Sequence, residues 1–418
     1  MPDRAASPAL PLLAMAMLLS LSGCGPTGTE GPPALRWYVF KERSGSFAEA
    51  ALYCSTASQG RYRIELAYLP ADADQQREQL VRRLAARDAD IDLIGMDVIW
   101  TAELAEAGWI LPWPEELARE VTEGRLSGPV ASATYAGQLW AAPFTSNTQL
   151  LWYRTDRVPE APTTWDALID QAEALGEGGR IQVQGERYEG LTVFFVSLLA
   201  SAGGSVLDER GQQVSLEPGP TRRALTLMRR LADSPAADPA LSTSREDHTR
   251  LAFESGGSAF MVNYTYVWPS AHANAPALAE HMGWAPWPRV DPDRPGRVTI
   301  GGINLGVAAY SRHPQLAFEA AVCIASEDNQ RTAARLGGLP PTARALYDDA
   351  EVRRTFPFAD VLKATLEDAV QRPQTPVYSD ISLAISRTLH PLKDIDPERD
   401  GPRLRAAVGR ALRSEGLL

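Results

Sequence analysis

Between Leu35 and Met96 the chain alternates two hydrophobic periods, and that alternation restricts the fold more than any other feature. Leu35-Arg36-Trp37-Tyr38-Val39-Phe40 and Tyr62-Arg63-Ile64-Glu65-Leu66-Ala67-Tyr68 read as strands, and Ile91-Asp92-Leu93-Ile94-Gly95-Met96 is a third, largely apolar one. Ser44 to Cys54 and Gln75 to Arg87 lie between them with helical patterns. Strand, helix, strand, helix, strand predicts a parallel α/β sheet. Ligands in such sheets sit beyond the carboxyl ends of the strands. Lys41 and Glu42 follow the first strand and Asp97 follows the third, so these three are candidate contacts.

Further along, Leu150-Leu151-Trp152-Tyr153 and Phe260-Met261-Val262-Asn263-Tyr264 read as strands, as does a short apolar segment around Ile303 and Leu305. Thr163-Thr164-Trp165-Asp166 opens a helix, with a threonine cap and an acidic first turn. Leu191 to Ala202 is a buried helix ended by Gly203-Gly204, and Thr221 to Ala232 and Pro314 to Ser326 are further helices. Pro286 to Arg297 holds four prolines and reads as a loop; Gly337-Gly338-Leu339-Pro340-Pro341 is a turn. No repeat of 20 to 50 residues is visible.

The N-terminus carries an apolar run from Leu10 to Leu21, shorter than the roughly 18 to 20 residues of a spanning helix, followed by Ser22-Gly23-Cys24. Leu21-Ser22-Gly23-Cys24 resembles the lipobox of bacterial lipoproteins, which implies a signal peptide over 1–23 and a diacylated Cys24 as mature N-terminus. Two acyl chains hold a protein stably on a membrane where one does not. The expected location is the outer face of the cell membrane, with 24–33, rich in Gly and Pro, as tether. About 395 residues remain, room for two domains. The formal net charge is -11, with 52 acidic side chains against 41 Lys and Arg, which argues against a nucleic-acid partner.

With Cys24 assigned to lipid, Cys54 and Cys323 are left in an exported body, where pairing is chemically open to them. A long-range disulfide is expected, with free buried cysteines as the alternative.

Six segments in order carry a family resemblance. They are Ile91-Asp92-Leu93 to Asp97 with Ala107-Gly108-Trp109; Gly137-Gln138-Leu139-Trp140-Ala141-Ala142-Pro143; Tyr188-Glu189-Gly190-Leu191 with Gly203-Gly204; Ala259-Phe260-Met261-Val262-Asn263; Gly301-Gly302; and Ala317 to Gln330. In these the chain resembles the extracellular solute-binding proteins of sugar ABC importers, the maltose-binding-like family 1. Within that group it looks most like the trehalose-binding lipoproteins of actinobacteria, through Asp97, Ser146-Asn147, Trp268, Gly337-Gly338 and Arg372-Pro373-Gln374-Thr375-Pro376.

The resemblance implies a type II two-lobe α/β fold with each lobe discontinuous in sequence. The expected division is 34–143 with 286–342 for the N-terminal lobe and 144–285 with 343–418 for the C-terminal lobe. The crossings fall near Phe144, near Trp284 to Trp287 and near Pro340 to Ala345. It also implies capture of a disaccharide, trehalose before maltose-like sugars, by a monomer that delivers it to ABC permease subunits with a separate ATPase, without a cofactor.

A sugar site needs carboxylates and amides for ring hydroxyls and an aromatic plate for the C–H face. The candidate set is Lys41, Glu42, Asp97, Asn147, Trp268, Gly338 and Arg372. Arg372, flanked by Pro373 and Pro376, can fork onto two hydroxyls or pair with Asp97. Asp97 also precedes Val98-Ile99-Trp100 and can serve as a helix cap.

Other classes are weaker. Glu42 and Asp97 could form the carboxylate pair of a surface glycoside hydrolase. Nucleophile elbow, phosphate loop, dinucleotide and zinc-protease motifs are missing, and His248, His272, His281, His313 and His390 show no metal-ligand spacing. The remaining alternative is a binding protein for a polyamine or a phosphorylated polyol.

Overall fold

The computed structural model describes residues 31–70 and 72–415; Cys24 and the leader before it lie outside them. Eleven strands occur among the described residues: β1 (Ala34–Phe40), β2 (Arg63–Leu69), β3 (Leu93–Asp97), β4 (Thr134–Tyr135), β5 (Gln138–Leu139), β6 (Ala141–Asn147), β7 (Gln149–Arg154), β8 (Arg180–Gln182), β9 (Ser258–Tyr264), β10 (Met282–Ala285) and β11 (Gly301–Val307). They form a five-stranded sheet in the order β2-β1-β3-β11-β6, a four-stranded sheet in the order β10-β7-β9-β8, and a ribbon of β4 and β5.

The predicted parallel unit is present, with β1 parallel to β2 and to β3. Two antiparallel strands extend it: β11 pairs with β3, placing Ile303 opposite Asp97, and with β6, placing Gly301 opposite Asn147. Tyr68 and Leu66 of β2 are only partly covered because that strand is the sheet edge, whereas the central β3 is buried along nearly its whole length.

Each lobe has its own core. In the first, Trp37 packs at 5.3 Å from Phe47 and 6.1 Å from Phe144, tying the sheet to the helix Ser46–Ala57. A disulfide joins Cys54 on that helix to Cys323 on the helix Pro314–Ile324. In the second, Trp165, Phe194 and Trp287 form a triangle with ring separations of 5.3 to 6.1 Å. The apolar helix Glu189–Ser201 runs through this core, as its sequence predicts.

The lobes meet where β6 passes into β7 through the buried Thr148, a few residues beyond Phe144. Residues 340–344 complete the joint. Ser146 N–H donates to the Pro340 carbonyl at 2.8 Å, and Thr342 Oγ1 donates to the Pro143 carbonyl at 3.2 Å. The segment 286–300, expected in the N-terminal lobe, packs differently: Trp287 and Val298 belong to the second lobe's core, and the first sheet resumes only at Gly301. The proline count marked a loop correctly, but not which core its aromatic anchor fills. None of the described helices is long and apolar enough to cross a membrane.

Candidate functional site

Asp97 ends β3, and its Oδ1 accepts from Ile99 N–H at 3.2 Å, capping the short turn Val98–Trp100. The same oxygen accepts from Arg372 Nη2 at 3.1 Å. One carboxylate oxygen therefore both caps the turn and pairs with Arg372, and the second oxygen is used by neither bond.

Arg372 is the centre of the site. Its side chain is only 5% exposed, and its Nη1 donates to Glu189 Oε1 at 2.7 Å. Glu189 sits in the first turn of the helix Glu189–Ser201. Tyr378 donates to its Oε1 at 2.5 Å, and the Ser382 hydroxyl donates to Oε2 while lying 2.9 Å from Thr192 Oγ1. Burial is the largest influence on Arg372 and favours its neutral form, but Asp97, Tyr378 and Glu189 together outweigh it, so the guanidinium stays protonated. Burial pushes the Glu189 carboxyl up, opposed first by Arg372 and then by the Ser382 and Tyr378 bonds. Arg372 Nε is buried without a hydrogen-bond partner among the described residues.

Asn147 closes β6 beside this cluster. A Cβ added at Gly301 would lie 3.6 Å from Asn147 Cβ and 3.8 Å from Arg372 Nη2, so the two polar groups flank one glycine. Asn147 Oδ1 is buried and has no hydrogen-bond partner among the described residues. An unpaired buried amide oxygen is costly unless something else donates to it. Next to Gly301, Gly302 adopts φ 136°, where a Cβ would fall 2.2 Å from the Thr145 carbonyl, so only glycine fits there.

Three residues outside the expected set join the site. Tyr264 ends β9, and burial raises its phenol well above the ordinary range, with Glu246 adding and Arg372 opposing, so it remains a neutral donor and acceptor. Glu246, in the first turn of the helix Glu246–Glu254, is pushed up by burial with partial relief from its own backbone and from Tyr188. Glu189 is the third. It lay within a segment quoted for the family resemblance, but a glutamate ahead of an apolar helix reads simply as an acidic first turn. Tyr264 was legible only as the last residue of a strand.

Other expected residues are engaged in contacts of their own. Trp268, partly buried on the helix Val267–Asn274, stacks on Trp152 at 6.3 Å and meets Trp284 at 5.4 Å and Phe358 at 5.7 Å edge-on. Glu42 accepts from Ser44 N–H at 2.7 Å, from the Ser44 hydroxyl, and from Ser46 Oγ and Phe47 N–H at 3.2 Å, holding the start of the helix Ser46–Ala57. Both of its oxygens are taken up by these bonds. Lys41 Nζ lies 5.7 Å over the Tyr68 ring. Gly338 ends the helix Glu327–Gly337 in the left-handed conformation, and its carbonyl accepts from Thr265 Oγ1 at 2.8 Å, a contact between the lobes.

Hydrogen-bonding charges, an unpaired amide oxygen and a phenol gathered between two lobes can grip a small polar solute. Among the described residues no group of three or more His, Cys, Asp or Glu is positioned to hold a metal ion.

The profile of bacterial extracellular solute-binding proteins matches residues 61–331. A probable ABC transporter-binding protein of Deinococcus radiodurans is 26% identical over 370 residues, 84% of this chain and 87% of that protein. A mannitol-binding protein of Pseudomonas aeruginosa is 24% identical over 324 residues, 73% and 72% of the two chains. Among solved structures, maltose-bound MalE3 of T. maritima overlays with a TM-score of 0.82 at 26% identity, covering 90% of this chain and 99% of that one.

Proposed function

We propose a ligand from one premise: the chain belongs to the family of bacterial extracellular solute-binding proteins. Its work is capture for transport rather than catalysis. The ligand is a sugar, a disaccharide held between the lobes, with trehalose first and maltose-like sugars next, handed to the permease subunits of an ABC importer whose ATPase is a separate chain. Cys24 carries the lipid that keeps the protein, as a monomer, at the outer membrane face.

The observation that carries this reading is the pairing of Asp97 with Arg372 beside the unpartnered Oδ1 of Asn147. A sugar hydroxyl both donates and accepts, so it can give its proton to Asp97 or Asn147 while receiving one from Arg372 or Tyr264. Arg372 is already matched by Asp97 and Glu189, which leaves no surplus positive charge for a phosphate ester. The T. maritima protein of similar fold has maltose bound. The preference for trehalose rests on the sequence likeness at Asp97, Ser146-Asn147, Trp268, Gly337-Gly338 and Arg372. Trp268, stacked on Trp152 and with the His272 ring 4.3 Å away, is the plate in this reading through what remains of its ring surface; Lys41, Glu42 and Gly338 are outer contacts for the second ring.

One second reading has an observation behind it. The carboxylates Asp97 and Glu189 outnumber the single Arg372 that they share, which would suit a polyamine. A thermal-shift panel of trehalose, maltose, mannitol, spermidine and glycerol phosphate separates the readings. A ligand at a hundredfold excess over its Kd stabilises by about 2.7 kcal/mol. Trehalose should give the largest shift; a shift with spermidine and none with any sugar would reject the sugar site.

A further inference from the structure

Beside Glu246, a second set of charges spans the two lobes. Arg245, just ahead of the helix Glu246–Glu254, donates through Nη2 to Glu186 Oε1 at 2.6 Å, and its guanidinium lies 4.6 Å over the Tyr188 ring. Glu186 and Tyr188 belong to the same lobe as Arg245. Its other nitrogen, Nη1, reaches the opposite lobe and donates to Asp72 Oδ2 at 2.5 Å. Asp72 is itself held, since its Oδ1 caps the helix Ala73–Ala85 by accepting from Gln75 N–H at 3.0 Å.

Both partners of the inter-lobe bond are therefore fixed before they meet. Arg245 is aimed by a carboxylate and an aromatic face, and Asp72 by the helix it caps. Pre-set side chains lose little freedom on docking, which is the usual cost that cancels an ion pair. The side chains of Asp72 and Arg245 are 19% and 35% exposed, shielded from water on most sides. In a neighbouring pair, Arg43 with Asp247 at 3.9 Å, Asp247 is held by Arg250 and Tyr266, but the pair is largely solvated.

We propose that Asp72 and Arg245 form a charge latch that holds the lobes together through protein contacts alone, so that part of the population is closed before any solute enters. The latch does not depend on which solute binds. Opening the cleft breaks the Arg245–Asp72 bond and leaves Arg245 on Glu186, ready to re-form it.

The test uses single-molecule energy transfer on the solute-free mature chain, with dyes on Ala57→Cys and Glu209→Cys, exposed positions in opposite lobes. Asp72→Asn is the informative variant, because asparagine caps a helix as well as aspartate while removing the charge. The closed-to-open ratio should fall about fivefold in Asp72→Asn. Raising NaCl to about 0.5 M should move the parent toward the variant and leave the variant unmoved. The proposal is overturned if the parent shows only the open distance, or if parent and Asp72→Asn have the same distance distribution at both salt concentrations. Neither result bears on sugar recognition, which the thermal-shift panel decides separately.

Discussion

Arg372 and Asp97, 275 residues apart in the chain, meet at 3.1 Å where the lobes join, and a second carboxylate, Glu189, holds the other arm of the same guanidinium at 2.7 Å. Asp97 comes from the first sheet and Glu189 from a helix of the second lobe, so the arginine reads the position of both.

The two ends of that bridge should respond differently to mutation. Arg372→Ala strands Glu189 in a dry site, and breaking a buried pair from one side costs about 3–5 kcal/mol. Asp97→Asn keeps an acceptor for the cap, so the fold should lose little, while sugar affinity falls about tenfold to a hundredfold with the lost charged contact. Urea denaturation and calorimetric titration with trehalose and maltose measure the two quantities. Unchanged affinity in Asp97→Asn would remove Asp97 from the site.

Trp268 is engaged by Trp152, Trp284 and Phe358, so Trp268→Ala opens a gap in an aromatic cluster. A stability loss of about 3 kcal/mol is expected. If the ring also plates a sugar, affinity falls as well. Trp268→Phe, which preserves part of the packing, distinguishes the roles: stability mostly recovers, and an affinity that stays low assigns the plate.

Gly301 and Gly302 make a matched pair of probes. A Cβ at Gly301 meets its nearest atoms at 3.6 and 3.8 Å, ordinary contact, whereas Gly302 has no room. Gly301→Ala should leave the melting temperature near the parent value and weaken sugar binding, because its methyl enters the space between Asn147 and Arg372. Gly302→Ala should lower the melting temperature first. Equal stability loss in both variants would show that Gly301 serves the strand rather than the cleft.

Glu246 gives a pH signature. Its folded-state pKa lies above the ordinary 4.5, with burial as the main cause. The folded protein then holds a proton that the unfolded chain has released, so stability from this group is complete below 4.5 and is lost as pH rises through the folded pKa. Glu246→Gln should be more stable than the parent at pH 7 and equal to it near pH 4, as read from melting temperatures without solute. A variant less stable than the parent at pH 7 would contradict the raised value.

The disulfide closes a separation of 269 residues. Replacing Cys54 and Cys323 together by serine should cost about 2–5 kcal/mol in denaturant titration. Sugar affinity should hold, since the bridge joins two helices of one lobe core rather than the cleft.

How much of this was readable depended on how local each cause is. Asp97 stood out because a strand end is a short-range signal, and β1, β2 and β3 announced themselves by period. Arg372 was marked by the family likeness and by the prolines around it, but its burial could not be read, because the groups that enclose it come from Ile300, Asp97 and Glu189. Trp268 was a candidate plate by sequence, but its packing was not readable, since Trp152 and Phe358 lie about a hundred residues away on either side. The placement of Trp287 failed for the same reason: its fit against Trp165 and Phe194 is a tertiary fact.

The order β2-β1-β3-β11-β6 also decides how this protein can be cut. β11 is a middle strand of the first sheet, yet it is supplied by chain that has already built the whole of the second sheet. A fragment ending at Asn147 would carry β3 and β6 with bare facing edges and nothing between them, and a fragment beginning at Gln149 would carry an orphan strand. Neither half, cut there, carries a complete first sheet. A division that keeps both sheets whole must leave the pair of lobes on one chain.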